Sequence, residues 1–309
     1  IKSNPRTFID IETIEDNETL VMNDGSLVSA VTIDGVSKAV LEEEFVEILD
    51  EAERKLMAYM SDGCHYPSFY FLRDTDGIDS ELEAIYGPVK RATQSIGLEM
   101  DDLIQEQKDV LKKYCQKERA ILLLWTNMNG LSKDEKRVAG NRKAIERKGM
   151  PLANDAQNLG MGAGMMLSRH KSFVSEFCQD LKNVSISTQV LNVHEFLREI
   201  RVSIDSEWTS DDWLPSLPGD PIPMRLDNRY KPDCSGMLWP RLTDQLFPRA
   251  AEHLDHATLQ IGETAFAPIT IELMPKSPEP FQALFKRLNN EKVPWRMNIL
   301  VRSDGMSVL

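Results

Sequence analysis

The chain has 309 residues, of which 41% are hydrophobic and 28% charged, proportions that exclude a disordered or fibrous protein. Its 36 Lys and Arg against 49 Asp and Glu leave a net charge of −13, which repels phosphate and excludes a general nucleic-acid binder unless a local basic patch exists. No apolar run approaches the ~20 residues that cross a bilayer, so a soluble protein without a transmembrane segment is expected.

In chain order, residues 18–23 and 26–34 read as short strands joined at Asp24-Gly25, a dipeptide suited to positive φ. Asp34-Gly35 makes a second turn, and Ser37 can cap a helix. There Leu41, Phe45, Ile48, Leu49, Ala52, Leu56 and Tyr59 recur at three- and four-residue steps, an apolar stripe opposite a solvated face of Glu42, Glu43, Glu44, Glu47, Glu51 and Glu53. Residues 67–73 are an aromatic-rich strand. Met100, Leu103, Ile104, Gln107, Val110, Leu111 and Tyr114 mark a second helix, and residues 119–126 a central strand apolar on both faces. Helical patterns follow at 132–147, 166–181 and 188–199.

The order of elements predicts an α+β fold, a mixed or antiparallel sheet covered by helices, with a second smaller α+β unit. Residues 1–204 form the expected main domain. From 205 to 241 lie Pro215, Pro218, Pro221, Pro223, Pro232 and Pro240 with Trp208, Trp213 and Trp239. Proline removes N–H donors, whereas tryptophan needs cover, so this stretch is expected to be an ordered, extended arm. Residues 242–309 read as a small unit: a hairpin of 258–261 and 266–273 around Gly262-Glu263, a helix at 277–288 with Phe281, Leu284, Phe285 and Leu288 inward, and a strand at 295–301.

Cys64, Cys115, Cys178 and Cys234 are scattered, with no CxxC pair and no signal peptide, which points to buried thiols in a reducing compartment. The chain opens on Ile1 and stops at Leu309, and both ends read as cuts within a longer protein.

Chemistry-bearing motifs are sparse. The phosphate-binding pattern G-x-x-x-x-G-K-[ST] is absent, and the glycine cluster at 160–164 follows a polar run rather than a strand, so it reads as a Gly/Met loop. His253 and His256 would share a helical face, but no third ligand follows at zinc-site spacing, and no metal is expected. Cys64-His65 would point apart. No nucleophile elbow or H-E-x-x-H occurs, which leaves only an unfamiliar hydrolase, using Asp or Glu with His65 or His194, as the enzymatic alternative. The one charge anomaly lies at 131–149, where Lys133, Lys136, Arg137, Arg142, Lys143, Arg147 and Lys148 outnumber Asp134, Glu135 and Glu146. Lys136, Arg137, Lys143 and Arg147 are the candidate partner-binding residues. Their partner would be an acidic protein, anionic lipid headgroups or the chain's own Glu-rich helix.

Residues 17–35 (NETLVMNDGSLVSAVTIDG) resemble the opening of the large ATPases of type IV secretion and conjugation, the VirB/TraC-type assembly motors, with their strand, D-G-S turn and second strand. Residues 257–288 and 293–305 resemble the hairpin–helix–strand module that precedes the motor domain in that family. The resemblance implies that no catalytic or cofactor residue lies in this chain. ATP and Mg²⁺ would belong to a motor domain beyond residue 309. It also implies docking at the cytoplasmic face of the inner membrane, onto membrane components of the secretion machine, with self-association and a second cytoplasmic secretion ATPase as further partners. A standalone regulatory adaptor is the remaining alternative.

Overall fold

The computed structural model describes residues 2–3, 9–36, 38–59, 63–74, 78–128, 131–146, 148, 156–159, 164–205, 212–220, 239–247, 249–269, 277, 279–291 and 293–300. Arg147, Trp208, Pro221, Pro223, Pro232, Cys234 and Gly160 to Ala163 lie outside these, as do the side chains of Arg142, Lys143, Glu146 and Phe281.

The fold is α+β, with antiparallel sheet pairs and eight helices among the described residues. The chain forms two compact units, one from Ile1–Ser68, Leu122–Thr270 and Leu300–Leu309, the other from Phe69–Ile121 and Ile271–Ile299. These units are bounded elsewhere than the expected 204 and 241. The C-terminal strand β11 (Trp295–Leu300) does not close a unit of its own, because it bonds to β5 (His65–Asp74) at one end of the main sheet. That sheet has the order β11-β5-β6-β4-β3-β2, where β6 is Lys117–Thr126, β4 Leu27–Val36, β3 Thr19–Met22 and β2 Ile11–Asp16.

In the first unit the β3–β4 hairpin forms where Asp24-Gly25 permits it. Gly25 has φ 85°, and the Asp24 carboxylate accepts from the Ser26 N–H at 2.8 Å. Leu20, Val21, Leu27, Val28, Ala30 and Val31 are buried, so β4 is covered on both faces at its start. β7 (Ile186–Val190) pairs antiparallel with residues 31–36 of β4. The Ser26 and Ala30 carbonyls accept from Met22 and Leu191 N–H groups respectively, so β3 and β7 occupy one edge of β4 in succession. Over them lies α5 (Gly164–Asn183), whose Met166, His170, Phe173, Phe177 and Leu181 fall at helical spacing and are buried. α1 (Glu42–Tyr59) meets α5 through Tyr59, whose ring stands 5.4 Å edge-on from Phe173 and whose hydroxyl donates to Asp180 at 2.6 Å. Burial and that carboxylate hold the Tyr59 proton on, pushing its pKa up.

The helix expected over 188–199 starts later, at Val193. Thr188 to Val190 belong to β7, and α6 (Val193–Ile204) begins after a capping box in which Asn192 and Glu195 satisfy each other's N–H groups. The expected stripe on α1 is also corrected: only Ala52 is buried, while Leu41, Phe45 and Leu49 are exposed.

The described parts of the arm are tied down by polar side chains. Gln157, buried, donates to the Ser216 and Pro240 carbonyls at 2.9 and 2.8 Å and accepts from the Thr13 hydroxyl at 3.2 Å, linking the arm to β2. Gln245 donates to the same two carbonyls. The arm's Leu217 is fully buried, and Trp213 lies with its ring 4.4 Å from the Arg201 guanidinium. A small sheet, β1-β8-β9-β10, follows: β1 is Lys2–Ser3, β8 Ala251–His253, β9 Leu259–Ile261 and β10 Thr264–Phe266. The last starts earlier than the expected 266–273, of which residues 270–273 lie outside the described residues. Arg249 forks onto the buried Asp205 carboxylate, with Nε–Oδ2 at 2.6 Å, and its guanidinium lies over Gly262, where a Cβ would sit 2.2 Å from Cζ.

The second unit holds α2 (Ile78–Ser95), α3 (Asp101–Tyr114) and α8 (Glu279–Asn290) beside its portions of β5, β6 and β11. α2 runs through Gly87-Pro88 and was not expected. It packs beside α3 with pairs Lys90–Asp101, Lys108–Glu83 and Lys112–Asp79, exposed on their acidic partners and so screened by solvent. Leu103, Val110 and Tyr114 of the expected α3 stripe are exposed, and only Ile104 is buried. Phe285 packs edge-on against Phe71 and Trp295.

Candidate functional site

The basic stretch folds as α4 (Lys133–Glu146). Its start is a capping box: the Ser132 N–H donates to the Glu135 carboxylate at 2.8 Å, and the Glu135 N–H to the Ser132 hydroxyl at 3.2 Å. Those bonds, with Arg169 beyond them, hold the Glu135 carboxyl below its usual range. Ala139 anchors α4 to a cluster with Val21, Leu27, Cys64, Leu131 and Met166. On the rest of the helix, Lys133, Lys136, Arg137, Val138 and Ile145 are exposed. Arg137 pairs with Asp134 one turn back at 3.2 Å. Lys136 and Arg137 thus sit together on an outward surface, Lys143 continues the same helix, and Arg147 lies outside the described residues.

Exposed apolar side chains accompany these charges. Leu41, just before α1, and Phe45, Val46, Leu49 and Met57 on it are exposed, beside the run from Glu42 to Glu53. Periodicity located Leu41, Phe45 and Leu49 but not their exposure, because the same spacing serves a core and an interface equally well, and it passed over Val46 and Met57.

The histidines were the alternative site. His253 ends β8 and His256 lies in the bend after it, so no helical face unites them. Among the described residues no three His, Cys, Asp or Glu side chains gather as a metal cage. His194 bonds the Asp220 carboxylate at 2.9 Å, and Asp220 also receives the Leu217 N–H, so the pair fastens a turn. His65 and the buried His170, which sequence reasoning passed over, form a relay. Ser29 donates to the Glu18 carbonyl at 2.6 Å, which leaves its oxygen to accept from His170 Nε2 at 2.9 Å. His170 Nδ1 then accepts from Thr126, and Thr126 from His65 Nδ1, at 2.8 and 2.9 Å. A nucleophilic serine must donate to its imidazole, and Ser29 does the reverse. Burial, then the neighbouring His65, pushes the His170 pKa down to about 4, so its ring is neutral.

The thiols also differ from expectation. Cys64 is buried and Cys178 half-buried, with burial pushing the Cys178 thiol pKa up, but Cys115 is exposed. No helix among the described residues is long and apolar enough to cross a membrane. No family model matches this chain, and no curated protein is detectably similar to it.

Proposed function

We propose that this chain is a non-catalytic scaffold and docking domain of a secretion ATPase of the type IVB (Dot/Icm) class, holding the motor peripherally at the cytoplasmic face of the inner membrane for effector translocation. The observation that carries the reading is the set of exposed apolar side chains on α1, Phe45, Val46, Leu49 and Met57, with Leu41 just before it, beside an acidic run. Apolar rows of this kind serve contact with another macromolecule. The basic surface of α4 adds a second contact region of opposite sign. Resemblance at 17–35 and 257–305 supplies the class of partner: inner-membrane components of the secretion machine, further copies of the ATPase and a second cytoplasmic ATPase. On this reading nucleotide and Mg²⁺ belong to a motor domain outside these residues. A G-x-x-x-x-G-K-[ST] motif in the downstream gene sequence separates this from a standalone adaptor.

The test is charge reversal of Lys136, Arg137, Lys143 and Arg147 to Glu in the full-length protein. Lys136 and Arg137 are exposed, and exposed charges contribute ~0–1 kcal/mol each, so the thermal midpoint should hold nearly constant while membrane recruitment and secretion fall. Unaltered fractionation and secretion would remove α4 from the docking surface.

A further inference from the structure

Strand β7 has one partner among the described residues, β4, and its other edge opens into a groove of about 850 Å³ within the first unit. Because the Leu191 N–H bonds the Ala30 carbonyl, residues 189 and 191 address β4 in the antiparallel register. The N–H and C=O groups of Thr188 and Val190 therefore point away from it, and both residues line the groove. One wall is the α5 face from Lys171 to Lys182, and Glu18 and Thr19 border the end near Val190. β2 pairs with β3 in the next lane of the sheet and stops at Asp16, so among the described residues no strand occupies the lane beside β7.

We propose that this edge binds an extended peptide as an added strand antiparallel to β7, with a basic residue toward its N-terminal end and an acidic residue toward its C-terminal end. Main-chain pairing with Thr188 and Val190 supplies affinity, as in other strand additions. Polarity comes from the groove's two ends. Lys182 stands at the Ile186 end without an ionic partner among the described residues. Glu18 stands at the Val190 end, where Lys171 is already engaged by Asp16 at 2.6 Å. An antiparallel peptide enters at Glu18 and leaves at Lys182, so its charges follow. A separate extended segment fits better than a second copy, whose own β7 edge is recessed beside the same α5 wall. The inference holds whether or not the secretion reading does.

The probes are two capped six-residue peptides, Lys-Val-Thr-Val-Thr-Glu and its end-swapped counterpart Glu-Val-Thr-Val-Thr-Lys, titrated into the whole chain. Fluorescence polarisation gives affinity, and amide hydrogen exchange gives the site. The first peptide should bind about tenfold more tightly than the second and slow exchange at Thr188 and Val190. Thr188→Pro removes an N–H that the β4 ladder does not use, so the fold should persist while binding is lost. Lys182→Glu makes both ends of the groove acidic and should abolish the preference between the peptides. Three results overturn the proposal: no protection by either peptide at about 1 mM, binding unchanged in Thr188→Pro, or protection of these amides that tracks protein concentration without peptide, which makes a second copy the occupant.

Discussion

Replacing Gln157 tests whether the arm is held by a shared hydrogen-bond hub rather than by burial alone. Gln157→Leu keeps most of the side-chain volume but removes two donors and one acceptor. Thr13, fully buried, then loses its acceptor, at a cost of ~1–3 kcal/mol for a hydroxyl stranded from water. The Ser216 and Pro240 carbonyls keep Gln245 as a donor, so their loss is the ordinary ~0.5–1.5 kcal/mol for both together. The single change should therefore destabilise by about 2–4 kcal/mol. Gln245→Ala alone, at a half-buried position water can reach, should cost about 1 kcal/mol. In the double variant both carbonyls lose every side-chain donor, and the cost should exceed the sum by ~1–2 kcal/mol. Urea unfolding followed by tryptophan fluorescence measures all four corners of the cycle. Additivity within ~0.5 kcal/mol would refute the hub, and so would a Gln157→Leu effect below that size.

His170 stays neutral in the fold down to about pH 4, whereas an unfolded histidine takes up its proton near ~6.5. The unfolded state binds more protons between those values, so stability falls as pH drops through the window, by up to about 3 kcal/mol. His170→Gln should flatten that slope in urea curves at pH 7 and 4.5; parallel slopes would exclude His170 as its source. Arg249→Met leaves the Asp205 carboxylate buried without its fork and should cost about 3 kcal/mol by thermal unfolding. Gly262→Ala should match it, because φ is 61° and the new Cβ displaces the Arg249 guanidinium. Combining the two should add only the roughly 1 kcal/mol of backbone strain at Gly262, since the ion pair is lost once.

What sequence reasoning recovered depended on whether a local rule had a single structural solution. Asp24-Gly25 has one, and the β3–β4 hairpin sits where it was expected. The basic run became a helix because its Ser132 cap and Glu135 agree with its spacing. By contrast, α2 was missed because Gly87-Pro88 reads as a break, although the helix carries it. β7 was absorbed into α6 despite a visible signal, the Asn192-x-x-Glu195 capping box that marks the true start. Spacing alone could not tell that Leu41, Phe45 and Leu49 face outward. Gln157 and His170 carried no signal at all, since their roles depend on partners up to 144 positions away.

The pairing of β4 with β7 has a consequence for how the chain is made. Gln189 lies opposite Thr32, 157 residues earlier in the sequence. At ~5–20 residues per second, a ribosome takes about 8–30 s to reach the second after the first. Throughout that interval the stretch from Val31 to Val36 has its permanent partner still unmade, and an open, apolar strand edge invites pairing with other nascent chains. The local β3–β4 hairpin can form at once, so it protects only the first part of that edge. Synthesis of the second part is a wait, and holding factors that bind extended apolar segments should meet this protein there, before residue 190 emerges.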